Sequence, residues 1–171
     1  YGQDSPAEFS FNQSTLQAFY FFNTVTINAV VIESNDWVAA FNGDVCVGAR
    51  QWDSSQCLGG ICDVPAMGAD PSNSPGTEEY MSMGGIPTFK IYDASEDIYF
   101  DATPSENFPW SINGFNFIDN LVANSDDSGE VITDGCDLPD DPNTSYLHLT
   151  DSGSVLYKSL YAIGGFQFDV D

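Results

Sequence analysis

The chain has 171 residues, 42% hydrophobic and 14% aromatic, enough for one large domain or a domain with an appendage. Three basic residues, Arg50, Lys90 and Lys158, face 26 acids, and the formal net charge of -23 excludes nucleic acid and anionic lipid surfaces as partners. No apolar run reaches the ~20 residues of a membrane span, so no membrane insertion is expected, and the apolar content excludes a disordered acidic tail.

Residues 1–8 are polar and read as an extended arm, and Tyr1 runs directly into Gly2, Gln3, Asp4 and Ser5 with no signal-peptide pattern, as at a mature terminus left after cleavage. From Phe9 the chain turns apolar. Phe9 and Phe11 alternate with Ser10 and Asn12, Phe19 to Phe22 cluster, and Val25, Ile27, Ala29 and Val31 alternate with their neighbours, which predicts strands. Trp37–Phe41 and Val45–Arg50 flank Asn42-Gly43-Asp44, a hairpin on an Asn-Gly turn. Residues 53–85 are rich in Ser, Gly, Asp, Pro and Asn and read as a long loop, of a kind that is commonly functional or cross-linked. A second hairpin follows, 88–92 with 98–102. Residues 114–122 fit a short helix or a strand, and the strand is preferred.

Residues 124–145 are nearly devoid of apolar side chains and read as an acidic linker between a body, 1–123, and a tail, 146–171. In the tail, Tyr146–Leu149 and Val155–Tyr157 predict a hairpin. Phe166, Phe168 and Val170 alternate with Gln167, Asp169 and Asp171 as in a strand with one buried face. The expected fold class is all-β, a β-sandwich body of Ig-like or jelly-roll kind with a C-terminal extended or hairpin tail.

Four cysteines suggest an oxidising compartment and allow three pairings. Cys57 and Cys62 enclose a flexible Leu-Gly-Gly-Ile loop that can close on itself, which leaves Cys46 and Cys136 as a second possible pair. Zinc fits poorly, because no C-x-x-C spacing is present and His148 is the lone histidine, flanked by two leucines. Asp-rich turns favour calcium as a possible cofactor. The candidate ligands are Asp36, Asp44, Asp126, Asp127, Asp134, Asp137, Asp140 and Asp141, although no stretch has EF-hand spacing. Asn12 and Asn143 head glycosylation sequons, and residues 71–77 are a candidate O-glycan stretch. Trp52 and Trp110, in predicted loops, are candidates to stack on sugar rings, whereas Trp37 opens an apolar run and reads as core.

Three stretches carry a resemblance: residues 11–21, then Asp36-Trp37-Val38-Ala39-Ala40-Phe41-Asn42-Gly43-Asp44-Val45-Cys46-Val47-Gly48-Ala49-Arg50, then Pro87-Thr88-Phe89-Lys90-Ile91-Tyr92-Asp93. They resemble a β-rich module of large secreted or surface multidomain proteins of aquatic bacteria, across most of residues 9–122. Residues 155–171 resemble the opening strands of a cohesin-like β-sandwich, without the remainder of such a module. The resemblance implies a secreted or surface location and an all-β fold, and brings no catalytic residues.

No G-x-S-x-G elbow or phosphate loop is present and one histidine offers no relay, so no enzyme is expected. The preferred reading is a secreted structural subunit that assembles with copies of itself, head to tail, into an extracellular fibre or surface layer. Val155, Tyr157, Phe166, Phe168 and Val170 of one copy would add strands to the next. The alternative is a calcium-dependent carbohydrate-binding or adhesion module of a larger secreted protein.

Overall fold

The computed structural model describes residues 5–124, 138, 145–149 and 154–161. The chain divides into two compact units, Tyr1–Gly129 and Glu130–Asp171. In the first, the strands are β1 (Gln17–Ile27), β2 (Val30–Val31), β3 (Trp37–Asn42), β4 (Val45–Gln51), β5 (Cys62–Met67), β6 (Thr88–Asp93), β7 (Ile98–Pro104) and β8 (Phe115–Ala123). In the second, β9 (Tyr146–Leu149) and β10 (Val155–Lys158) make a separate antiparallel two-stranded sheet. The protein is all-β, as its alternation predicts.

One mixed sheet of 8 strands forms the first unit, ordered β2-β1-β8-β7-β6-β3-β4, with β5 also on β1. β1 is its axis. One side of β1 holds β5 along Gln17–Phe22 and β2 at Thr26 and Ile27, and the other side runs parallel to β8 from Phe19 to Ile27. The sheet curls at β7, which pairs with β6 from Ile98 to Ala102 and then with β8 at Thr103 and Pro104. Two layers of a jelly-roll-like sandwich result. Tyr20, Phe22, Val38, Phe89, Ile91 and Ile118 are among the side chains that fill the space between them, all nearly inaccessible. Burying each contributes on the order of 1.5–3 kcal/mol.

Where β4 meets β5 the layers touch. A side chain at Gly48 would place its Cβ 1.6 Å from the Pro65 carbonyl oxygen, so only glycine allows this approach. Arg50 of β4 and Asp63 of β5 form an ion pair across the same seam.

Both hairpins of the body form. β3 and β4 close through the two-residue turn Gly43–Asp44, with Gly43 at φ 61. β6 and β7 close around Asp93, whose carboxylate accepts from the Ser95 and Glu96 backbone N–H groups. Residues 114–122 are a strand, β8, and the hairpin at the start of the tail is β9–β10.

Three expectations are corrected. The N-terminal arm is not extended throughout: Ala7–Phe9 is a single 3-10 turn, and Phe9, fully buried, meets Phe41, Tyr92 and Tyr99 edge to face at 5.9, 6.4 and 5.4 Å. That aromatic contact overrides the alternation around Phe9. The long loop 53–85 contains a strand, β5, which Pro65 disguises. Proline is tolerated because Phe19, its partner on β1, gives its N–H to the Gly114 carbonyl on the β8 side, so the ladder asks no donor of Pro65. Cys57 and Cys62 do pair, but Cys46 is a free buried thiol, so the second disulfide sketched with Cys136 is not formed; its Sγ lies in the satellite core under Phe9 and Phe41. Cys136 itself lies outside the described residues.

Candidate functional site

The outer face of the β1–β8 pair carries a ladder of aromatic rings. Because the parallel register sets Phe19 beside Phe115 and Phe21 beside Phe117, alternate residues of both strands project on one face. Phe21 and Phe117 stack at 4.8 Å, Phe19 and Phe115 at 5.6 Å, and Phe21 and Phe115 at 6.1 Å. Phe115 and Phe117 nonetheless remain 64% and 62% exposed. At the far end the ladder turns polar, where the Asn23 amide donates to Asp119 at 3.0 Å. Large rings stacked in a row yet open to water form a concentrated apolar face on a molecule otherwise covered in carboxylates.

A second feature is a cleft of about 820 Å³ on the outer side of the β4–β5 seam. Trp37 and Phe19 supply its half-buried rings, Gln17 and Gln51 its amides, and the Arg50–Asp63 pair lies on its wall. Asp53 also lines it. Its carboxyl is held below the ordinary carboxylate range by hydrogen bonds from the Ser55 hydroxyl and the Gln56 amide. Arg50 thus offsets the charge of Asp63, while Asp53 stays ionised at the rim with its oxygens occupied by Ser55 and Gln56, which leaves amides and aromatic faces as the cleft's free hydrogen-bonding and stacking groups.

The residues singled out from the sequence are distributed as follows. Trp52 and Trp110 are corrected: both are core, 8% and 2% exposed, and neither offers a ring face to a ligand. The Trp110 indole N–H donates to the Ala66 carbonyl at 2.8 Å, and its ring lies so close over Gly68 that a Cβ there would come within 2.4 Å. Loop position in sequence did not imply exposure, because both loops fold back over the core. Trp37, expected in the core, is only half buried and faces the cleft.

Asp36 is also corrected as a metal ligand. It is buried, and its two carboxylate oxygens accept from the backbone N–H groups of Glu33 at 2.7 Å and Ala94 at 2.9 Å, tying a turn to the β6–β7 loop. Asp44 is exposed in the β3–β4 turn. Among the described residues no three His, Cys, Asp or Glu side chains gather to hold a metal. Asp126, Asp127, Asp134, Asp137, Asp140 and Asp141 lie outside the described residues, as do Asn143, Phe166, Phe168 and Val170.

Asn12 is exposed. Its amide donates to the Gly76 carbonyl at 3.3 Å, and the Ser14 hydroxyl of the same sequon donates to the Gly68 carbonyl at 2.7 Å. In the candidate O-glycan stretch Ser74 and Thr77 are buried, Thr77 donating to the Ser74 carbonyl, which corrects both as attachment points. In the tail Val155 is half buried and Tyr157 is 51% exposed, and Lys158 Nζ donates to the Leu138 carbonyl.

Sequence reasoning missed the ladder on β8. Phe115 and Phe117 were read only as members of an apolar segment, and the alternation Phe115-Asn116-Phe117-Ile118 does not say which face is wet. Among the described residues no helix is long and apolar enough to cross a membrane. No family model, curated protein or solved structure matches the chain.

Proposed function

We infer that the chain is a secreted structural subunit, akin to β-rich modules of large secreted or surface proteins, that assembles head to tail into an extracellular fibre or surface layer. Strands from the C-terminal unit of one copy add to the sheet of the next. The observation that carries this reading is the exposed aromatic ladder on β1 and β8: Phe115 and Phe117 stand on the half of β8 that β7 leaves unpaired among the described residues, so a strand added at that edge extends the stacked rings. Contacts of this heterologous kind extend into open filaments. The Cys57–Cys62 bond suits an oxidising, extracellular setting.

Removal of residues 146–171 tests it. The truncated chain keeps its cooperative thermal unfolding and no longer forms filaments in electron micrographs. A truncated chain that still polymerises overturns the reading.

A second reading is favoured by the cleft at the β4–β5 seam. Amides beside Trp37 and Phe19, with Asp63 paired to Arg50 and Asp53 ionised, suit a neutral polyhydroxylated ligand over an anionic one, so the module binds glycans there, not at Trp52 or Trp110. A glycan array probed with and without calcium tests it, and an array without signal in both conditions removes it.

A further inference from the structure

Strand addition needs an edge, and the described residues leave few. β2 has only two residues. β4 and β5 face each other too closely at Gly48 and Pro65 to admit a strand, which needs about 4.8 Å on each side. The N-terminal half of β8 is different. β7 meets β8 only at Val122 and Leu121, and the chain beyond β7 follows it no further than Asn120 and Asp119, through Ser105 and Glu106.

The parity of β8 can be read from one bond. The Phe19 N–H donates to the Gly114 carbonyl at 2.8 Å. In a parallel ladder successive residues turn their N–H and C=O groups to opposite sides, so Asn116 and Ile118 face β1, and Phe115 and Phe117 aim theirs away from it. Those are the residues whose rings are exposed. The same half-strand carries an orphan: Asn116 Nδ2 is buried and has no hydrogen-bond partner. A buried amide donor without an acceptor is unfavourable, so an acceptor brought alongside is favoured.

Resting on the strand-addition reading, we propose that β8 between Phe115 and Ile118 is the accepting edge, and that its occupant is residues 167–171 of a second copy, antiparallel, with Phe168 opposite Phe117. In this register Val170 lies opposite Phe115 and extends the ring ladder, and Asp169 lies opposite Asn116 on the other face. That pair is not hydrogen-bonded through its backbone, which brings its side chains closest, and the Asp169 carboxylate accepts from the orphan Nδ2. Charge selects the direction. Asp119 and Glu106 sit at the C-terminal end of the edge, and the antiparallel strand keeps Asp169 and Asp171 at the opposite end, whereas a parallel strand would crowd them together.

The test uses full-length chains. Phe117→Asp, at a ring already largely exposed, keeps cooperative thermal unfolding, as does a Phe117→Ala control that also loses the stack on Phe21, and the Asp variant raises the critical concentration for assembly by about tenfold or more. Two single variants, Asn116→Cys and Asp169→Cys, are then mixed, assembled and oxidised. A reducible dimer containing one of each is expected, since Cα atoms of such a pair fall in disulfide range. Filaments that form without that dimer, or Phe117→Asp chains that assemble as wild type, overturn the accepting edge while the strand-addition reading stands, provided truncation at residue 146 still abolishes assembly. Assembly that survives the truncation overturns both.

Discussion

Gly48 has no side chain because the Pro65 carbonyl occupies the place where one would stand. Gly48→Ala therefore has to prise β4 from β5, and urea unfolding should register a loss of about 3 kcal/mol or more. Gly43→Ala, at φ 61 but with open space around it, should cost only about 1 kcal/mol. Two buried protons make a further prediction at this scale. Burial pushes the Cys46 thiol from 9 up to about 11 and the Tyr20 phenol from 10 up to about 12. The folded state thus holds both protons more tightly than the unfolded chain. Their full contribution is present below pH 9 and is lost as pH rises through 11 to 12, by roughly 2 kcal/mol per group. Unfolding titrations at pH 8 and pH 11 check the slope, and a Cys46→Ala chain should lose its share of it.

At the scale of elements, hairpins with short polar turns were legible: β3–β4, β6–β7 and β9–β10 all form where alternation and turn residues place them. β5 was not legible, since a proline inside a strand is allowed only when the ladder asks nothing of its N–H, and that depends on β1 and β8. The disulfide sits just before β5 and closes a short loop, with Cys62, nearly inaccessible, as the strand's first residue. Replacing Cys57 and Cys62 together by serine should lower stability by about 2 kcal/mol, read from urea midpoints, without loss of strand content by circular dichroism. The candidate face was half legible. Alternation marks Phe115 and Phe117 as one side of a strand, but their exposure follows from Phe19 and Phe21 pairing beside them, a contact across nearly a hundred residues of chain.

At the scale of the whole molecule, a charge of -23 opposes stacking of copies, and salt screens it over about 10 Å at 0.1 M. Under the proposed head-to-tail scheme, assembly followed by light scattering should quicken as sodium chloride rises from about 0.01 to about 0.3 M. Calcium at equal ionic strength should act more strongly if the acidic turns take it up, and equal potency of the two salts would remove calcium from the scheme. What the sequence by itself determined is the all-β class, most hairpins, the Cys57–Cys62 loop and the electrostatic character, because each depends on neighbours a few residues apart or on a sum over the chain. The tertiary structure alone decided that Trp52 and Trp110 are core, that Asp36 serves a turn, that Cys46 stays a thiol and that the Phe115 and Phe117 rings lie largely exposed on β8. Those outcomes depend on which distant segments share a face, and a curled sheet brings residues together by its closure, which no local pattern encodes.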